Sequence, residues 1–323
     1  MPKNILVIRF SALGDTAMLL PVLYGAALEQ PDCTFTLLTS HRNAELVTNS
    51  APSNLHSWGV NLKNYNGLIG LRRLHNEALA KEFDAVADMH DVLRTKILRC
   101  FFKLRGIPVS VIDKGRREKR MLCCQGKKKR LMPLLHTTER YAHVLHQLQI
   151  KTASWQPTPY TDKKGIGIAP FAKHQGKIYP LDKMEAVIAA LSKQSEPICL
   201  FGGGPLEEQQ MRQWSTIYPN VRFTPDRRLS EEIHSIAKLR VMLTMDSANM
   251  HLASLAGTRV ISIWGAAHPF AGFLGYGQSE SDCIQANLPC RPCSVFGNRK
   301  CQFGNYPCMQ AITPQEILQK LSI

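Results

Sequence analysis

No apolar run in this chain approaches the roughly 18 residues that a membrane-crossing helix needs, so no helical span is expected. The first apolar stretch, Asn4–Ile8, is also too short for a secretory signal, and Arg9 interrupts it. A cytoplasmic location is therefore expected. Aromatic residues are scarce at 7%, which leaves few platforms for stacking nucleic-acid bases. Only one glycine, Gly14, follows the first apolar run, so the glycine fingerprint of a nicotinamide or flavin site is missing. Acidic residues are few as well: 25 Asp and Glu face 40 Lys and Arg, a net charge of +15.

At 323 residues, 44% of them hydrophobic and 20% charged, the chain has the composition of a globular protein long enough for two cores. Its ten cysteines, in a reducing compartment, read as thiols or metal ligands before disulfides. The basic surplus is uneven. Fourteen Lys and Arg lie between Arg94 and Arg130, against only Asp113 and Glu118. Such a tract implies an anionic partner: nucleic acid, acidic lipid or a phosphorylated substrate.

Asn4–Arg9 reads as a buried strand, Ser11–Asp15 as the turn after it and Thr16–Leu28 as a helix with Pro21 a potential kink. Strands follow at Thr34–Leu38, Phe83–Met89 and Pro108–Ile112. Ile97–Leu104 has the alternation of a basic amphipathic helix, whose apolar face suits an anionic leaflet. Gly115–Arg130 is so charged that a mobile arm is expected there. Thr152–Lys164, with two prolines and no period, reads as a linker. The pattern then restarts with Ile166–Ala169, Pro197–Phe201 and Val221–Phe223 as strands. The resulting expectation is an α/β protein of two doubly wound domains facing across a cleft, residues 1–155 and 156–323.

The chain is organised around VMLTMDSANMHLASLAGTRVISIWGAAHP, Val241–Pro269. An apolar strand, Val241–Met245, precedes the N-cap pair Asp246-Ser247. A helix then runs to Gly257, and Val260–Trp264 is the next strand. A helix N-terminus beside a strand end suits a diphosphate. Together with ILVIRFSALGD (Ile5–Asp15), Lys177-Ile-Tyr-Pro180 and FGGGPLEEQ (Phe201–Gln209), this stretch resembles the motifs of the heptosyltransferase-like glycosyltransferases, family 9, in order and spacing over nearly the whole chain.

The resemblance implies a GT-B fold and an inverting, metal-independent transfer of a sugar, with heptose from ADP-heptose as the expected donor and a lipopolysaccharide-core or related glycolipid as acceptor. The alternatives are another nucleotide sugar, or a non-catalytic relative that binds a nucleotide sugar or nucleic acid. It implies that Asp15 is the general base and that Lys177 stabilises the leaving diphosphate. Glu207 would hold the nucleotide ribose, and Asp246, Ser247, Ala248 and His251 would form the donor motif. Ser11 and Gly14 belong to the acceptor-side motif, and Arg94, just past a strand end, is placed to meet acceptor phosphate or carboxylate.

Each role has a plain structural counterpart: a helix-cap acid for Asp15, a first-turn acid for Glu207, a packed histidine for His251. The family's motif glycine is Ala248 here, the residues before the lysine are Phe171-Ala172-Lys173, and Tyr179 replaces a tryptophan. Cys290, Cys293, Cys301 and Cys308 have spacing open to a structural zinc, to packed thiols or to a labile disulfide. No cofactor is otherwise required. The expected partners are a nucleotide sugar, a phosphorylated glycolipid and the anionic inner-membrane surface, with peripheral attachment, and not nucleic acid.

Overall fold

The computed structural model describes residues 3–48, 51–225 and 228–322. The chain divides into two compact units: Met1–Lys114 with Thr137–Gln156, and Gly115–His136 with Pro157–Ile323.

In the first unit, five parallel strands are β1 (Asn4–Ile8), β2 (Thr34–Ser40), β3 (Leu55–Val60), β4 (Ala85–Asp88) and β5 (Val109–Val111), in the order β3-β2-β1-β4-β5. Ile5 of β1 pairs with Phe35 on one side and Ala85 on the other. A strand paired on both edges and covered on both faces reads as a continuous apolar run, which is why Ile5–Ile8 carries no alternation. The helix Leu13–Glu29 continues through Pro21 and packs against Thr137–Gln147.

The opposite arrangement from the expected one holds for the helix Leu93–Leu104. Its Leu98 and Phe102 are buried with Leu71 and Leu74 of the helix Gly67–Leu79 against Leu6, Ile8 and Val86 of the sheet. Burying a side chain such as Phe102 is worth roughly 1.5–3 kcal/mol, so the core claims that apolar face before any lipid can.

In the second unit, six parallel strands are β6 (Ile166–Ala169), β7 (Ile198–Leu200), β8 (Val221–Phe223), β9 (Val241–Met245), β10 (Arg259–Trp264) and β11 (Cys283–Gln285), in the order β11-β10-β9-β6-β7-β8. Trp214, Tyr179 and the apolar residues of β6, β9 and β10 fill its core. The helix expected to be capped by Ser230 begins at Leu229, with Arg228 in the cap position. Gly257, at a φ of 69°, ends the helix Ala248–Leu255 in a left-handed conformation that a side chain would strain.

Residues 115–136, the first part of which, Gly115–Arg130, is expected as a mobile arm, belong to this second unit. They form a helix, Arg116–Leu122, and an extended return. Lys119 is buried with its ammonium 4.1 Å from the Phe273 ring centroid, and Lys129 donates to the carbonyls of Pro289 (2.8 Å) and Arg291. The Leu134 amide donates to the Phe270 carbonyl at 2.9 Å. Part of the basic surplus is thus spent on packing and on carbonyl contacts, which composition does not reveal.

Each sheet has one point where its strand order reverses. In the first unit the chain runs outward from β1 to β3, then resumes with β4 on the other side of β1. In the second it runs outward from β6 to β8 and resumes with β9 on the other side of β6. Loops leaving the carboxyl ends of β1 and β4, or of β6 and β9, diverge there and leave room for a ligand.

Candidate functional site

Asp15 stands at the carboxyl end of β1, in the first turn of the helix Leu13–Glu29. Its Oδ2 lies 2.7 Å from Nη2 of Arg9, the residue just after the strand, and accepts the Ala12 amide at 3.3 Å. It therefore does serve the helix start, and it also holds an ion pair that a cap does not require. Arg9 is buried; its Nη1 donates to the Met89 carbonyl past β4, and its guanidinium lies 5.5 Å from the Tyr141 ring centroid. Burial works against the Arg9 charge, but the electrostatics of its surroundings, with the Asp15 carboxylate at 2.7 Å, outweigh it and raise its pKa, so it stays a cation. Fully buried Tyr141 donates its hydroxyl to the Asp15 backbone carbonyl at 3.3 Å. Burial holds the Tyr141 phenol far above its ordinary range, so it remains a donor.

The loop after β4 completes this edge. His90 accepts the Phe10 amide at Nδ1 (3.4 Å), and its Nε2 is 3.4 Å from the Ser11 hydroxyl. Burial, then the nearby Arg9 and Lys114, lowers the His90 pKa to about 4. Asp88 accepts the His90 and Asp91 amides, both at 2.9 Å, and Arg99 bridges Asp88 (3.3 Å) and Asp91 (3.1 Å). Gly14 is buried within the first helical turn. Arg94 opens the helix Leu93–Leu104 and donates to Asn66 at 3.4 Å.

In the second unit Lys177 and Asp246 meet at 2.7 Å, Nζ to Oδ2, with side-chain exposures of 15% and 6%. Lys177 ends a short 3-10 turn, Gln175–Lys177, on the loop after β6, and Asp246 follows β9 directly, so the pair marks the strand-order reversal. Burial pushes the Asp246 pKa up, and Lys177 draws it only part of the way back. The lysine stem is shaped by Gly297, at a φ of 72°: a Cβ there would lie 2.6 Å from Lys177 Cγ. Tyr179, two residues on, is buried and donates to the Ile312 carbonyl at 3.1 Å.

Ser247 occupies the cap position of the helix Ala248–Leu255, as its sequence predicts, but makes no side-chain cap bond. Its hydroxyl turns instead to Thr244, 3.3 Å away. Ala248 is the first helical residue, and His251 is buried one turn along. Glu207, in the first turn of the helix Pro205–Ile217 after β7, accepts the Gly203 amide at 3.0 Å and so braces the glycine turn. Phe171 stacks on Trp214, with 6.4 Å between ring centroids, and bounds the space over Gly202.

Lys177, Asp246 and Ser247 thus share one sheet edge, at the ends of β6 and β9, and Glu207 stands at the end of the adjacent β7. Asp15 and Ser11 share the corresponding edge of the other unit.

Among the described residues no group of three or more His, Cys, Asp or Glu is gathered to hold an ion. What organises the cysteine-rich tail is Arg291, whose buried guanidinium donates to the carbonyls of Gly265 (2.5 Å), Ala286 (2.6 Å) and Ala267 (3.0 Å). The Cys293 and Ser294 amides also donate to Ala266. The tail therefore builds the wall against which Lys177 is held.

Arg9, Tyr141, His90, Arg291 and Gly297 are the residues that motif reading leaves without a role. For Arg9 one signal is present, a charge that closes an apolar strand. For Tyr141, distant in sequence, there is none.

The family model described as glycosyltransferase family 9 (heptosyltransferase) matches residues 71–306, well over half of the chain. No curated protein sequence matches it. Among solved structures, the chain is similar to the Escherichia coli heptosyltransferase WaaC bound to ADP-2-deoxy-2-fluoro heptose, with 17% identity, 99% of each chain covered and a TM-score of 0.71. A family 9 glycosyl transferase from Veillonella parvula has 17% identity, 99% and 96% coverage and a TM-score of 0.75. E. coli ADP-heptose lipopolysaccharide heptosyltransferase II has 18% identity, 99% and 97% coverage and a TM-score of 0.71. At such identities the likeness shows the fold, GT-B, with two parallel α/β sheets.

Proposed function

The chain belongs to glycosyltransferase family 9, the heptosyltransferases, and from that premise we propose that it moves a heptose from ADP-heptose to a lipopolysaccharide-core or related phosphorylated glycolipid, with inversion and without a metal. The observation that carries this reading is the Lys177–Asp246 pair at the strand reversal of the second unit, beside the first turn of Ala248–Leu255. A cation held by a buried carboxylate, next to helix amides that no side chain caps, suits a nucleotide diphosphate. The ADP-sugar bound in the WaaC structure supports this class of donor.

In the proposed step Asp15 takes the proton of the acceptor hydroxyl as that oxygen bonds to the anomeric carbon. The bond from that carbon to the diphosphate oxygen breaks, and the departing negative charge falls to Lys177 and the helix amides. Arg9 keeps the Asp15 carboxylate oriented, and the Tyr141 bond to the Asp15 carbonyl fixes the turn beneath it. Glu207, now bound to the Gly203 amide, is the acid for the ribose hydroxyls, and Ser247, Ala248 and His251 line the donor edge. Ser11, Gly14 and Arg94 belong to the acceptor side. The acceptor is lipid-linked, so the enzyme works in the cytoplasm at the inner-membrane surface; no helix among the described residues is long and apolar enough to cross a membrane. Incubation with ADP-heptose and a heptose-deficient lipopolysaccharide core, followed by mass analysis, tests the reading: one added heptose supports it, and an unchanged acceptor counts against it.

A further inference from the structure

The apolar residues exposed on the first unit are not those of the amphipathic pattern. In the helix Leu93–Leu104 that pattern is consumed by the core, yet Leu93, in its first turn, is 75% exposed. In the neighbouring helix Gly67–Leu79, Leu68 is 65% and Ile69 88% exposed, again in the first turn. The Arg94–Asn66 hydrogen bond joins these two helix starts, so the three exposed aliphatics sit on adjoining first turns. Leu104, also exposed, lies about 17 Å further along its helix at 1.5 Å per residue and is not part of this group.

Basic residues surround the group. Arg72 lies one turn from Leu68 and Ile69, and Lys96 lies one turn from Leu93; both are exposed. Lys63 lies on the adjoining stretch. The acids there are engaged: Glu77 accepts the Tyr65 hydroxyl at 2.7 Å and faces Arg73, and Asp91 pairs with Arg99. Exposed aliphatics ringed by cations, with the local acids neutralised, are complementary to a bilayer that carries anionic headgroups over acyl chains.

We propose that the first turns of Gly67–Leu79 and Leu93–Leu104 are the face that seats this protein on an anionic phospholipid surface, with Leu68, Ile69 and Leu93 entering the headgroup–acyl boundary and Arg72 and Lys96 meeting phosphates. The proposal rests on the glycolipid-acceptor reading only for the reason such a face would exist; the contacts themselves do not depend on turnover. It relocates the membrane contact from the Ile97–Leu104 face to the helix starts.

The test is flotation of the full-length protein with vesicles of phosphatidylcholine alone and of phosphatidylcholine mixed with phosphatidylglycerol, at low and high salt. The expected result is binding to the anionic vesicles that weakens with salt. Ile69→Ser, Leu68→Ser and Leu93→Ser should each weaken it by on the order of tenfold, and Arg72→Gln with Lys96→Gln should remove most of the salt-sensitive part. Turnover of a short, detergent-free soluble acceptor by these variants should stay at the wild-type level. If the wild type binds anionic vesicles and the three serine variants bind equally well, the face is overturned whether or not transfer is detected. If sedimentation shows instead that the serine variants convert a dimer to a monomer with vesicle binding unchanged, the face is a contact between copies and the proposal fails.

Discussion

Lys177 and Asp246, 69 positions apart in sequence, form a 2.7 Å ion pair where the strand order of the second sheet reverses. The relationship explains a feature of each partner. Asp246 is buried, and its carboxylate holds an ammonium at the sheet edge. In the proposed mechanism the motif acid positions the motif lysine.

Lys177→Ala should therefore have two separable effects. Turnover should fall by roughly 10²–10³-fold, because the departing diphosphate loses a positioned cation. Stability should fall by on the order of 3 kcal/mol at neutral pH, because Asp246 is left buried without its partner. The deficit should shrink as the pH falls and Asp246 takes up a proton. The double variant Lys177→Ala with Asp246→Asn should regain stability without regaining turnover. Denaturant melts beside initial rates check this; parallel recovery of both would assign the pair a purely structural role.

Asp15→Asn should keep the fold and the donor affinity and lose transfer by roughly 10²–10⁴-fold, the usual cost of a missing base. Arg9 would lose its ion pair but keep the Met89 carbonyl. A variant that turns over within a few-fold of wild type, with ADP-sugar binding unchanged by calorimetry, would reduce Asp15 to the helix-start role it also has.

Two buried histidines set an acid limit on stability. His90 and His268 each have a pKa lowered to about 4 from an ordinary value of 6.5, by burial first and by nearby cations second. Between those two values the unfolded chain carries the additional protons. Stability should accordingly rise with pH through this window and be lost as pH falls from 6.5 toward 4, by at most about 1.4 kcal/mol per pH unit for each histidine. Replacing His268 by Asn should flatten the dependence of Tm on pH in that range; an unaltered slope would show that His268 does not contribute.

Chelation separates the proposed mechanism from a metal-dependent one. With Lys177 and helix amides meeting the diphosphate, EDTA should leave the initial rate within about twofold, since positioned cationic and amide groups take the place of a metal. A rate abolished by EDTA and restored by magnesium or manganese would require a different account of the leaving group.

How much of this was legible in the sequence follows from which signals survive without coordinates. Strands β1, β6 and β9 lie inside their sheets, so they are uninterrupted apolar runs and stand out. The edge strand β3, LHSWGV, alternates poorly and is half-exposed, and β11 is only three residues long. Neither carries a pattern to find. Asp15, Lys177 and Asp246 could be singled out by motif, but not their partners. Arg9 reaches Asp15 across a turn, and Tyr141 returns to it through a helix that only the topology brings back. The charge-rich stretch 115–130 misleads because Lys119 and Lys129 spend their charge on an aromatic face and on carbonyls, contacts that composition does not encode.

The most direct test of the central claim is a single-turnover measurement with ADP-heptose and a heptose-deficient lipopolysaccharide core, following ADP release and product mass together, for the wild type and for Asp15→Asn. The account predicts stoichiometric ADP and one added heptose of inverted anomeric configuration from the wild type, and bound but unreacted donor in the variant. Retained configuration, or ADP released at the same rate by both proteins without an acceptor product, would contradict it.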